Sequence, residues 1–474
     1  MSKNFLKWGP YVLLLLVGLF LYAGIFKVYA FTDAYDYVYS ASQPDFINVF
    51  LEGGRPIYGW IIKWSYINFY SLEELSFLRF FSLLLSFSYC FYFYNYILKE
   101  GFDQAASLLL SLLILLSPSM SIKILWSVLW IMPLITLASF YTGVLLLTYY
   151  KKKSPIHLIV AIVLGLLVLL TYQPLFTFSI VPVFLYWFKE RNQKGIIKIG
   201  VVHFFTYALY FAIFKSYLFV YDITPQGRAS ISLDFIDRVT WFLSGPLLKS
   251  FTWNLFFVAS GFRWVFRALV FLSVLILFFK TYRSTIKSTI INLLILIAFF
   301  FVSYLPNLLS TDNWMSYRTM DALLFLPILF IVCTLTNGLL NRQWSYAVLS
   351  LFLIISLFMA HKNINSGFID LQVAELNAVK KKVASVNDVQ EWIIVPAPLK
   401  LVREEKILKR VITDEFGRLS TSSKWVPEPM LKLVLRSLGR NEDVKINIKN
   451  ANEIIPDDPA TIEVRSLFLT EMNL

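Results

Sequence analysis

Charge is scarce in this chain. Only 15% of its 474 residues are Asp, Glu, Lys or Arg, well under the roughly 25% of an ordinary soluble domain. Cysteine and histidine are rarer still. The two cysteines, Cys90 and Cys333, both sit inside apolar runs and read as packed, reduced thiols with no disulfide. His157, His203 and His361 are far apart and share no metal-ligand spacing, which argues against a histidine-based metal site. No Gly-rich phosphate loop occurs in any segment assigned to the cytoplasm.

What is abundant is apolar. Hydrophobic residues make up 58% of the chain and aromatics 18%, and many runs reach the ~18–20 residues that cross a bilayer. The sequence therefore predicts an all-α polytopic membrane protein. The net charge of +13 would suggest nucleic acid in a soluble protein. Here the lysines and arginines gather in short loops, as cytoplasmic loops do, so no nucleic-acid partner is expected.

The basic start, Met1 to Lys7, leads into an apolar run at 9–30 with no small-residue cleavage site before the acidic loop, and reads as an uncleaved first helix with its N-terminus inside. The loop at 31–70 is then outside, and its aromatic stretches suggest helices lying in the membrane interface. Further crossings are predicted at 74–98, 102–118, 126–150, 156–172, a return to 188, 196–220, 263–279, 289–309, 319–340 and 344–360. Lys151-Lys152-Lys153 is the clearest positive-inside mark. About eleven spans result, and an odd number leaves the tail outside. Residues 1–361 form the membrane domain on this reading. Residues 362–474, charged and mixed in composition, form a small α/β domain with a helix near 374–384 and strands at 392–395 and 444–448.

The polar residues that stand out fall on the outer side. Asp33 and Asp36 follow the first helix; a carboxylate partly desolvated there can take a proton from an attacking hydroxyl, or can simply solvate the loop mouth. Asp33 is the first candidate for a catalytic base, with Asp36 orienting a hydroxyl or serving as the base itself. Arg55, in Gly53-Gly54-Arg55-Pro56, has a tightly specified backbone and a side chain free to project. Arg318, in Asn313-Trp314-Met315-Ser316-Tyr317-Arg318, stands where an outer loop becomes a helix. Both suit a phosphate, because the guanidinium makes two parallel charge-assisted bonds; the bland alternative is interfacial snorkelling. Tyr172-Gln173-Pro174 is either a turn or the lining of a site. Tyr172 and Gln173, with Arg228 and Asp312 in the two later outer loops, are the substrate-binding candidates.

One helix, an acidic outer loop, a Gly-Arg-Pro and then many spans with Tyr-Gln-Pro midway: this order resembles the Gtr-type membrane glucosyltransferases that decorate O-antigen, within the wider GT-C fold class. The resemblance covers the layout of about residues 9–340 and rests on Asp33, Asp36, Gly54-Arg55-Pro56, Tyr172-Gln173 and Arg318. Family members often carry adjacent acids in the first loop, whereas this chain reads Asp33-Ala34-Tyr35-Asp36. The resemblance does not account for the tail. It implies a plasma-membrane enzyme of the cell envelope. Such an enzyme moves a sugar, with inversion, from a polyprenyl-phosphate donor to a cell-surface glycan outside the cytoplasm. No cofactor is implied, and a divalent metal is neither required nor excluded. A polysaccharide polymerase would share the outer arginines. A transporter or flippase of lipid-linked glycans should carry ionisable groups at mid-membrane depth, and the runs assigned to helix centres are nearly free of them.

Overall fold

The computed structural model describes residues 3–472 apart from 191, 226, 255–262, 265–266, 269, 274, 276–285, 337–340, 387–388, 400, 406–414 and 451–458. Among these, six helices are long and apolar enough to cross a membrane: Trp8–Phe26, Leu75–Lys99, Ser127–Lys152, Pro155–Glu190, Gln193–Val220 and Arg342–Ala384. A seventh span results if Gln104–Leu115 and Pro118–Leu125, bent by 51°, are taken together. Thr289–Val302 and Asp321–Thr334 are apolar but shorter. The eleven expected crossings are thus not reached among the described residues. Of the expected eighth, at 263–279, residues 265–266, 269, 274 and 276–279 lie outside them. The expected third is broken at Ser117-Pro118, where Ser117 accepts the Met120 N–H at 3.1 Å and starts a new helix.

The run Pro155–Glu190 is not one straight rod. A Cβ on Gly165 would meet the Phe176 ring at 2.9 Å, so the 3-10 segment Gln173–Ser179 folds back along the helix that precedes it. Asn192 Nδ2 then reaches Tyr150 Oη at 3.0 Å, just before Pro155. The polar break at Gln173 is therefore a true reversal of direction.

Contacts between loops sort the bundle into two ends. At one, Lys189 Nζ donates to Glu100 O at 3.0 Å, Arg342 pairs with Asp103 at 3.4 Å, and Gln193 donates to Asn292 at 3.1 Å. These segments are the ones the sequence grouped as inner loops. The opposite end gathers the Asp33 loop, Gly54-Arg55, Gln173, the 310–318 loop and the C-terminal domain.

No break occurs at residue 361. The helix beginning at Arg342 continues through a π-turn at Asn365–Ile369 into Asp370–Ala384, so the expected domain boundary falls inside one continuous helix. The tail carries a three-stranded parallel sheet of order β2-β1-β3, with β1 Glu391–Val395, β2 Lys445–Ile448 and β3 Thr461–Glu463. Trp392 lies opposite Ile446, and Ile394 opposite Ile462. β1, central and buried over its last four residues, reads as the continuous apolar run Trp392-Ile393-Ile394-Val395 that a covered parallel strand requires. The sequence missed β3, a three-residue strand too short to show a period. Phe368 links the two regions, with its ring 4.8 Å from Phe31 and 6.0 Å from Phe416. One apolar core runs through both.

Buried charge is more frequent than the sequence suggested. Lys123 pairs with Asp321 and donates to Thr136 Oγ1 at 2.6 Å, away from solvent. Arg79 lies over the Tyr29 ring at 3.9 Å and donates to the carbonyls of Ile25, Lys27 and Tyr29 at 2.8–2.9 Å. It thereby satisfies the backbone where the first helix ends and fixes the path into the acidic loop.

Candidate functional site

The acidic loop is held in an uncommon conformation. Thr32 has φ 40°, costly for a β-branched residue, just before the helix Asp33–Ser40. Its N–H donates to Ser420 Oγ at 3.1 Å, and Ser420 Oγ donates in turn to Gln372 Oε1 at 2.7 Å. The buried Glu375 carboxylate accepts the Ser420 and Thr421 N–H groups at 2.8 and 3.0 Å and the Thr421 hydroxyl at 2.6 Å. The C-terminal domain is thus bonded to the residue that begins the acidic helix.

Asp33 and Asp36 occupy the first turn of that helix, three residues apart and so on one face. Asp33 Oδ1 accepts from Trp425 Nε1 at 3.1 Å. Burial, and then the charge of Asp33, push the Asp36 carboxyl above the usual carboxylate range, with Ser40 opposing the shift.

Gly53-Gly54-Arg55-Pro56 is a tight link into the helix Pro56–Asn68, with Pro56 at its first position. Gly54 has φ 70°, and a Cβ there would lie 2.5 Å from Tyr210 Oη. Only glycine fits. Gln173 explains the crowding: its Nε2 faces Gly53 O, Gly54 O and Tyr210 Oη at 3.0, 2.9 and 2.6 Å, while its Oε1 accepts from Arg55 Nε at 3.2 Å. The Arg55 guanidinium lies over Tyr172 at 4.8 Å. Gly54, Arg55, Tyr172 and Gln173, separated by nearly 120 residues in sequence, form one unit.

Arg318 stands in the 3-10 turn Tyr317–Thr319, between Trp126 at 4.6 Å and Trp314 at 5.7 Å. Its Nε is buried without a hydrogen-bond partner among the described residues. Burial alone would weaken its charge, but Tyr172, Asp33, Glu415 and Tyr58 more than offset that, so it stays fully protonated. The turn is pinned from the tail by Glu415, which accepts from Ser316 Oγ and, at 3.5 Å, from the Tyr317 N–H.

Two cavities meet at Arg318. The larger, about 330 Å³, has Arg55, Tyr172, Gln173 and Arg318 at one side and an apolar wall of Phe204, Tyr207, Phe211, Phe214, Leu305 and Leu309. The smaller, about 180 Å³, is lined by Asp33, Trp126, Trp314, Arg318 and, from the tail, Glu415, Arg418, Ser423 and Trp425. Asp33, Arg55, Tyr172, Gln173 and Arg318 are therefore brought together. Asp36, one turn beyond Asp33, lines neither cavity. Arg228 falls in the turn Gly227–Ala229 beside the larger cavity, with its side chain outside the described residues. Asp312 lies next to Gly227, whose Cβ would approach it to 3.2 Å, and is not in either lining.

The residues that sequence reasoning missed come from the tail and from the aromatic set. Trp425, Glu415 and Arg418 lie nearly 400 positions from Asp33, beyond the reach of any local pattern. Trp126 and Trp314 carried no signal apart from the aromatic content expected near an interface. Among the described residues no three His, Cys, Asp or Glu side chains are grouped to hold a metal. Asp33 and Asp36 offer only two carboxylates, and Trp425 already occupies one oxygen. Compared with family models and with curated protein sequences, the chain matches none.

Proposed function

We propose that the protein is a membrane glycosyltransferase that moves a sugar from a polyprenyl-phosphate donor to a hydroxyl of a cell-surface glycan outside the cytoplasm. The single observation that supports this most is the meeting of the two cavities at Arg318: one is apolar with arginines at its polar side, the other polar with a carboxylate. A polyprenyl chain suits the aromatic and leucine wall of the larger cavity, with the phosphate between Arg55 and Arg318. The acceptor enters the smaller cavity from water.

In the transfer, the acceptor oxygen attacks the anomeric carbon as its proton passes to Asp33. The bond from that carbon to the phosphate oxygen breaks with inversion, and the electron pair leaves on polyprenyl phosphate. Arg318 and Arg55 stabilise the charge that grows on the phosphate, where a water-excluded donor is worth most. Asp33 is favoured over Asp36 as the base because it lines the acceptor cavity and Asp36 does not. No nucleotide is consumed.

The reaction is tested with purified protein in nanodiscs, supplied with polyprenyl-phosphate hexoses and a surface glycan. Release of polyprenyl phosphate matched by glycosylated product is expected. Transfer from a nucleotide sugar alone, or movement of the lipid-linked sugar across the bilayer without transfer, would overturn the proposal. The proposed orientation is checked separately. A cysteine placed at the exposed position Lys424 should be labelled in intact cells, and labelling only after permeabilisation would reverse the assignment.

A further inference from the structure

The C-terminal domain lies outside the resemblance in layout, yet it forms one wall of the smaller cavity. The three indoles lining that cavity are not equivalent. Trp126 and Trp314 turn towards the Arg318 guanidinium. Trp425 is 55% exposed, and among the described residues no ring or cation is stacked on it. Its edge is nonetheless fixed, because Nε1 donates to Asp33 at 3.1 Å. The segment that carries it is tied to the acidic loop through Ser420 and Thr32.

An indole with a fixed edge and a free face, beside a carboxylate, a guanidinium and a serine hydroxyl, has the composition that recognises a sugar ring. The apolar C–H face of a pyranose covers the indole while its hydroxyls find the polar groups. We infer that Trp425 is the acceptor platform: a pyranose ring stacks on its face with the reacting hydroxyl towards Asp33, and its Nε1–H orients the Asp33 carboxylate. Calling the sugar an acceptor rests on the glycosyltransferase reading; the sugar binding itself does not.

Trp425 is exposed, so its substitution leaves the core intact. Full-length protein in nanodiscs, with Trp425→Phe and Trp425→Ala, is examined in two ways. Saturation-transfer NMR, without donor, uses methyl glucopyranoside, methyl galactopyranoside and methyl N-acetylglucosaminide as probes. Transfer kinetics give the KM for donor and for acceptor. The native protein should saturate the ring C–H protons of at least one probe. Trp425→Ala should abolish that signal and raise the acceptor KM by about tenfold, the upper worth of a stacked ring, with the donor KM unchanged. Trp425→Phe keeps a face and loses the N–H, so it should keep the acceptor KM within a few-fold and lower kcat.

Absence of probe binding by the native protein, an Ala variant with unchanged acceptor KM, or a Phe variant as impaired in acceptor KM as the Ala variant would each refute the platform. Probe binding that is lost in Trp425→Ala, in a native protein that transfers no sugar from any lipid phosphate, would support the platform and refute the glycosyltransferase instead.

Discussion

The two ends of the helix bundle hold charge in opposite ways. At the lysine-rich end, the charged groups are solvated and loosely paired: the Arg342 and Asp103 side chains are 80% and 39% exposed, 3.4 Å apart. Such pairs are worth ~0–1 kcal/mol and are screened by salt. At the other end, Glu375 is fully buried with three donors, Arg55 is locked to Gln173, and Arg318 is enclosed by indoles with its Nε unpartnered among the described residues. Burying charge is expensive, and it persists where bonds or a ligand compensate for it. Positive charge at the first end has a bland account in membrane topology. At the second, topology alone does not account for an arginine held in place by aromatic rings and left, among the described residues, short of a hydrogen-bond acceptor.

The largest expected effect comes from removing the carboxylate at the smaller cavity. Asp33→Asn should lower transfer by ~10²–10⁴, the usual loss for a general base, with thermal unfolding close to native. Asp36→Asn should cost far less. A larger loss in Asp36→Asn, measured with the same donor and acceptor, would move the base one turn along the helix.

The two arginines come next. Arg318→Lys keeps the charge and loses the planar fork, so donor use should weaken by about 10–100-fold, as expected for a charge-assisted bond worth ~1.5–3 kcal/mol. Arg55→Lys should weaken it less, since part of the Arg55 guanidinium is already committed to Gln173. Separate titrations of donor and acceptor decide the matter. A loss confined to acceptor dependence would show that Arg318 serves the wrong substrate for this proposal. Gly54→Ala should act through structure: a positive φ and a Cβ 2.5 Å from Tyr210 Oη imply ~1–3 kcal/mol of strain. Its melting temperature should fall, and donor binding should weaken with it.

Much of this contrast was legible in the sequence, and the reason is physical. Apolar runs and lysine clusters are local signals with a fixed meaning, and they identified the loops that gather at the basic end. Gly-Gly-Arg-Pro and Gln-Pro were legible for a similar reason, because glycine and proline specify backbone directly. The span count was less legible: the apolar run at 102–118 gives no measure of the bend after Ser117, and the helix from Arg342 runs on past residue 361 with no glycine or proline to stop it before Gly367. The partners of Asp33 and Arg318 were illegible. Trp425 and Glu415 are single residues in a mixed segment, and only the docking of the tail through Phe368 and Ser420 brings them near. The buried Lys123–Asp321 pair was hidden likewise, with its partners 198 positions apart.

Acidity sharpens the contrast further. The folded-state pKa of Asp36 is raised by burial and by Asp33, so the native state binds its proton more tightly than the unfolded chain does. The resulting stability is fully present below the ordinary carboxylate pKa and is lost as pH rises through the elevated folded value. Replacing Asp36 with Asn removes this loss. Asp36→Asn should therefore melt higher than native near neutral pH, by a modest margin, and the difference should vanish in acid. A variant that melts lower at neutral pH would mean that the Asp36 charge is stabilised where it lies.

The smallest effect is expected at the basic end, and it carries the comparison's meaning. Arg342→Ala removes a guanidinium paired with Asp103 and lying near Tyr346, both at the solvated surface. The Asp103 carboxylate does not become stranded, because Tyr346 Oη and the Ala106 N–H also donate to it. Stability should change by no more than ~0.5 kcal/mol, and the change should shrink in high salt, where an exposed pair is already screened. Donor and acceptor KM should both stay native, since the residue lies at the end of the bundle opposite both cavities. The measurement is a melting curve at low and high salt beside the transfer assay. A variant that melts normally yet loses transfer would mean that charge at this end takes part in the chemistry, and the division between the two ends would then fail.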